Sequence, residues 1–101
     1  MAEQQREFSA MPKDVILIGK KPAMSYVMAM IFQLNQGAKE LTVKARGMLI
    51  SRAVDVVEIL QKRFFEEGKL VIKDIQIGTQ TVGEAGNERN VSTIEIKIAK
   101  Q

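Results

Sequence analysis

Residues 14–22 read Asp14-Val15-Ile16-Leu17-Ile18-Gly19-Lys20-Lys21-Pro22, a continuous apolar run closed by a glycine, a lysine pair and a proline. An apolar run of this length, bounded by a glycine, predicts a strand buried on both faces. Pro22 then suits a first helical position, where its missing N–H has no intrahelical partner to lose. Downstream, Met24, Val27, Met28, Ile31 and Leu34 recur at helical spacing, and Asn35-Gln36-Gly37 supplies the stop. A strand feeding a helix is the opening of a βαβ unit.

Outward from this junction the pattern continues in kind. Leu41-Thr42-Val43-Lys44-Ala45-Arg46 alternates apolar with polar, which predicts a strand carrying Lys44 and Arg46 on its outer face. Gly47 breaks it. A second helix is expected from about Met48 to about Phe65, with Ile50, Ala53, Val54, Val57, Leu60 and Phe64 on one stripe, ended by Glu66-Glu67-Gly68-Lys69. Leu70 to Thr81 is rich in Ile, Val and Thr, and its alternation slips near Lys73-Asp74, which predicts a bulge. A final strand alternates Ser92, Ile94, Ile96 and Ile98 with Thr93, Glu95, Lys97 and Ala99. Val82 to Asn90, with Gly83, Gly86 and Asn87, reads as a long mobile hairpin loop. Upstream, residues 1–12 are polar and aperiodic, a flexible tail before a single domain over 13–101. The order β-α-β-α-β-β predicts an α/β, two-layer (α+β) fold. Right-handed crossovers would put both helices on one face of a mixed four-stranded sheet.

With 101 residues the chain is long enough for one domain. Hydrophobic residues make up 46% and charged residues 27%, ordinary for a globular domain, but aromatics are only 5%. The core must therefore be built from Ile, Val, Leu and Met. No apolar run approaches the roughly 18 residues of a membrane span, and the N-terminus resembles neither a signal nor a transit peptide, so a soluble intracellular protein without a membrane partner is expected. Cysteine and histidine are both absent. Their absence rules out disulfides, thiolate nucleophiles, Cys/His zinc sites and Ser–His or Cys–His catalysis. Only carboxylate, Lys, Ser/Thr and a single Tyr remain for chemistry, and a non-enzymatic protein without metal or cofactor is expected. Net charge is +3 and the isoelectric point about 9.3, which suits a nucleic-acid binder and many other proteins. Placement of the charges has to decide.

At Gly19-Lys20-Lys21-Pro22 two cations stand at the positive end of a helix dipole, with no Ser, Thr, Asp or Asn cap and no acid nearby. Phosphate would satisfy the free N–H groups, the dipole and both ammonium groups together. The plainer reading is a pair of solvated lysines in a turn. Lys44-Ala45-Arg46-Gly47 is a second strand end feeding a helix, and Lys44 and Arg46 share a strand face. Successive βαβ strands end on one edge of the sheet, so Lys20, Lys21, Lys44 and Arg46 are expected to converge, with Arg52 extending the patch. Arg89, in the Gly-containing hairpin, can enter a nucleic-acid groove as other β-ribbons do, although Glu84 and Glu88 dilute its field and a plain mobile loop is the simpler reading. The second helix also carries Leu49, Val56, Ile59 and Phe65, more apolar surface than one sheet covers. That leaves an exposed patch or, preferably, a two-fold partner. Asp55 and Glu58 are read as surface pairs for Arg52, Lys62 and Arg63 rather than as a metal site. Met24, Met28 and Met30 are read as core or interface filler.

Taken in order, Val15-Ile16-Leu17-Ile18-Gly19-Lys20-Lys21-Pro22, Asn35-Gln36-Gly37, Lys44-Ala45-Arg46-Gly47, Ala53-Val54-Asp55, Val57-Glu58-Ile59 and Val91-Ser92-Thr93-Ile94-Glu95-Ile96 resemble the Alba family, over about Asp14 to Lys100. The resemblance implies a fold similar to the C-terminal domain of bacterial translation initiation factor three. It also implies homodimers formed through the second helix and neighbouring strands, and binding of double-stranded DNA and RNA with little sequence preference. By the same resemblance, Lys20 and Lys21 contact the backbone, Lys20 is an acetylation target and so a substrate of acetylation machinery, Arg46 is a further contact, and Phe64 joins dimer to dimer along DNA. A cytoplasmic, chromosome-associated chromatin protein is implied. Met48 stands where relatives often have a basic residue, Ser25 where Asn often precedes the tyrosine, and the hairpin is more acidic. These departures bear on tight duplex compaction more than on nucleic-acid binding. Two other functions fit the same residues: an RNA-specific ribonucleoprotein subunit, and a regulatory module for a small anionic metabolite.

Overall fold

The computed structural model describes residues 14–101; the expected N-terminal tail lies outside them. The elements are β1 (Val15–Leu17), α1 (Ala23–Asn35), β2 (Glu40–Arg46), a 3₁₀ turn (Gly47–Leu49), α2 (Ile50–Arg63), β3 (Leu70–Val82) and β4 (Arg89–Lys100). They form a four-stranded sheet in the order β1-β2-β4-β3. β1 and β2 run parallel, and the other neighbours are antiparallel.

One core holds the layers together. Ile16 and Ile18 of the first strand region, Leu41, Val43 and Ala45 of β2, and Ile94, Ile96 and Ile98 of β4 point to one face. Val27, Met30 and Leu34 of α1 and Ala53, Val56, Val57 and Leu60 of α2 meet them there. Both helices thus lie on the same face, as right-handed crossovers require.

Several expectations are corrected by this packing. β1 is an edge strand and not doubly buried: Leu17 points away from the helices and is exposed. In α1 the buried stripe is Val27-Met30-Leu34, whereas Met24 and Met28 are exposed with Phe32. Pro22 is the N-cap, one residue ahead of the helix, and no side chain caps α1. α2 is shorter than expected and turns Val56 into the core while leaving Val54 and Phe64 exposed. Of the expected surface pairs on α2, Lys62 and Glu58 meet at 3.5 Å. Arg52 instead bonds elsewhere.

The expected bulge falls between Ile72 and Asp74. By contrast, the ends of the expected long loop are strand: Val82, Arg89 and Asn90 pair, and Gly83 to Glu88 remain as the connection. β2 stops pairing at Arg46↔Thr93. Beyond that point β3 and β4 continue alone from Thr79↔Ser92 to Val82↔Arg89, a two-stranded arm projecting past the sheet.

Neither helix covers the far half of β3. Ile72, Ile75 and Ile77 lie opposite Ile98, Ile96 and Ile94, so they face the helix side of the sheet. They remain 41%, 53% and 81% exposed, because β3 is the edge strand farthest from α1.

Candidate functional site

The parallel pairing of β1 with β2 brings their carboxyl ends to one edge. The ladder continues there through the Ile18 N–H, which donates to the Lys44 carbonyl at 2.9 Å. From this edge the chain leaves β1 through Gly19-Lys20-Lys21 and leaves β2 through Gly47. Gly47 adopts φ 61, a left-handed backbone that L side chains rarely take, and so turns Arg46 directly into the 3₁₀ turn. Between these exits lies an open cleft of about 780 Å³. Lys20, Arg46, Arg52 and Arg89 line it, each from a different segment of the chain, and Met48, Leu49 and Val91 supply apolar wall.

Each cation is positioned differently. Lys20 is exposed and makes no ion pair among the described residues. Arg46 ends β2, and its Nη1 donates to Gln80 Oε1 at 3.2 Å, which ties the cleft to the projecting arm. Arg89 is not at the loop tip; it is the first residue of β4, and the arm carries it into the same cleft. Arg52 sits in the first turn of α2 and donates from Nη1 to the Lys21 carbonyl at 2.6 Å, so part of its guanidinium braces the neighbouring turn. Lys21 is exposed beside the cleft rather than lining it.

Lys44 does not line this cleft, although it shares the outer face of β2 with Arg46. Lys44 faces the outer surface of the sheet opposite Glu95 in the β2–β4 register, and Lys44 Nζ lies 3.5 Å from Glu95 Oε2. It borders a separate depression with Leu17 and Thr79, which Arg46 also reaches. Asp55 is an acid within the cationic cleft, and Met48 at its rim is 96% exposed.

Tyr26 was not singled out in the sequence, yet it organises the site. Its hydroxyl oxygen accepts the Gly19 N–H at 2.8 Å and the Lys21 N–H at 3.1 Å. The one available signal was its being the chain's single tyrosine, close after the lysine pair. Among the described residues no group of three or more Asp or Glu is placed to hold a metal ion. No helix among them is long and apolar enough to cross a membrane.

A mixed four-stranded sheet with two helices on one face, a cationic cleft at the strand ends and a projecting β-arm defines a small α+β protein. Comparison with known proteins makes the class specific. The family model Alba matches residues 14–79. The DNA/RNA-binding protein Alba of Methanothrix thermoacetophila is 51% identical over 87 residues, spanning 86% of this chain and 96% of the relative. Among solved structures, Alba from Thermoplasma volcanium superposes with a TM-score of 0.78 at 40% identity, covering 85% of this chain and 99% of that one. ALBA1 from Trypanosoma brucei gives a TM-score of 0.71 at 28% identity, covering 89% of this chain and 71% of that one. The chain belongs to the Alba family.

Proposed function

We propose that this protein binds the phosphate backbone of double-stranded DNA and RNA as a homodimer, with little sequence preference and without catalysis. The observation that carries this reading is the gathering of Lys20, Arg46, Arg52 and Arg89 from separate segments around one open cleft. An open cationic cleft favours a polyanion whose charge repeats along its length, and contacts of this kind position without reading sequence. The arm that carries Arg89 has the shape to follow a groove, while exposed Lys21 extends the field at the other end. The name of the Methanothrix relative supports the same ligand class.

Homodimer formation is supported by the uncovered helix-side face of β3. Ile72, Ile75 and Ile77 form a row of edge-strand isoleucines only partly covered by the described residues, and a two-fold partner would bury them against their own copies. Pairing would double the cationic surface. Phe64, exposed just past the end of α2, would then join dimer to dimer along a duplex. Acetylation of exposed Lys20 would remove one charge from the cleft and weaken binding. A chromosome-associated role in the cytoplasm follows from this reading.

The test is binding to a duplex DNA and a structured RNA of equal length, titrated across salt. A steep linear fall of log affinity with log salt on both is the expected result. Binding to RNA alone would move the protein to a ribonucleoprotein role. Saturation by a mononucleotide with indifference to polymer length would make it a metabolite-binding module. Failure to bind either polymer at low salt would sink the proposal.

A further inference from the structure

Lys20 sits in a turn that leaves β1 and enters α1, a place where a chain ordinarily keeps considerable freedom. Here the turn is held from both sides. The Tyr26 hydroxyl oxygen accepts the N–H of the residue before Lys20 and the N–H of the residue after it, at 2.8 and 3.1 Å. Arg52 Nη1 takes the Lys21 carbonyl at 2.6 Å from the opposite helix. Two donors converging on one phenol oxygen occupy its acceptor capacity. The fit is also close: a Cβ added to Gly19 would lie 3.1 Å from the Tyr26 hydroxyl, tighter than a relaxed contact. Gly19 has no positive φ, so its lack of a side chain serves this approach and not an unusual backbone.

The geometry points to Tyr26 as the positioning residue of the lysine pair: its hydroxyl holds the Gly19–Lys21 backbone in one conformation, so that Lys20 faces the cleft before any ligand arrives. This inference rests on the nucleic-acid reading above and adds to it a residue that carries no charge and does not line the cleft. The physical effect is preorganisation. Ordering a flexible backbone on binding subtracts from affinity, and a turn already ordered in the free protein avoids that loss. Because the cations are unchanged, the number of phosphates neutralised, and with it the salt dependence, stays the same.

The experiment uses the full chain and a short duplex DNA, with Tyr26→Phe and Gly19→Ala made separately and together. Tyr26→Phe removes the acceptor; Gly19→Ala pushes the hydroxyl away from the N–H it holds. Each should lower affinity by about three- to tenfold at fixed salt, the range expected when hydrogen bonds of this kind are lost. The slope of log affinity against log salt should stay at the wild-type value. The double variant should be no weaker than the single ones, since both break the same bracket. In a Lys20→Gln/Lys21→Gln background, Tyr26→Phe should have no further effect, and in the free protein it should speed amide exchange at Gly19 and Lys21. Thermal melts establish that each variant is folded.

A folded Tyr26→Phe that binds like wild type would overturn the inference while leaving the nucleic-acid reading intact. So would a loss that persists in full without the lysine pair, because Tyr26 would then act elsewhere. A wild-type chain that binds no polynucleotide at all would overturn both.

Discussion

Arg89 and Lys44 offer the sharpest contrast between neighbouring cations. Both carry one positive charge, but Arg89 lines the open cleft while Lys44 stands on the outer sheet face, 3.5 Å from Glu95. On B-DNA each neutralised phosphate contributes about 0.9 to the slope of log affinity against log salt. Over a fourfold salt range one contact is then worth about 3.5-fold in affinity, or about 0.7 kcal/mol. On the proposed reading Arg89→Gln would remove one such contact from each protomer, so the slope for a bound dimer should fall by about 1.8. Lys44→Gln should lower the slope by clearly less, because Lys44 does not line the cleft and Glu95 lies beside it. Fluorescence anisotropy with a labelled short duplex, repeated at four or more salt concentrations, measures both slopes. If Lys44→Gln lowered the slope as far as Arg89→Gln, the assignment of the binding face to the cleft would be wrong.

Four further outcomes are expected. If the proposed dimer forms through β3, Ile75→Glu/Ile77→Glu should give a folded monomer in sedimentation equilibrium where wild type is dimeric, since each charge would be buried unpaired at a cost of about 3 kcal/mol or more. Met48→Arg adds a cation at the almost fully exposed rim of the cleft, and should steepen the salt slope by about 0.9 for each protomer in anisotropy titrations. Phe64→Ala should leave affinity for a duplex one dimer long unchanged but reduce cooperativity on a long duplex, as read by gel-shift isotherms. Leu60→Ala empties a site that is 0% exposed between α2 and the sheet, and should lower unfolding free energy by about 2–5 kcal/mol in urea titrations.

The order and type of the four strands and both α-helices could be read from hydrophobic patterning, because it is a local property of the chain, whereas the 3₁₀ turn at Gly47–Leu49 was not. The bulge was legible for the same reason: a slip in alternation at Lys73-Asp74 is a one-dimensional signal. Less was legible where burial depends on what lies opposite. Met28 and Met30 are equally apolar, but Met30 is buried and Met28 is not, because only the direction of α1 over the sheet selects between them. The last pairs of the arm were also hidden. Gly83, Gly86 and Asn87 mark a turn, yet strand pairing persists to Val82↔Arg89 because each strand completes the other's hydrogen bonds.

The sequence by itself determined the fold class, the absence of cysteine and histidine chemistry, and the two cationic strand exits at Gly19-Lys20-Lys21 and Lys44-Ala45-Arg46. Composition and local periodicity suffice for these. Only the tertiary structure decided which cations share a cleft. Antiparallel pairing set Glu95 against Lys44, the continuing β3–β4 ladder delivered Arg89, and α2 turned Arg52 back onto the Lys21 carbonyl. It also placed the Tyr26 hydroxyl on two N–H groups, which it reaches only once the chain has turned from β1 into α1. Apart from those of Tyr26, five and seven residues away, these partners are distant in sequence, and no local pattern records a contact made by register and packing.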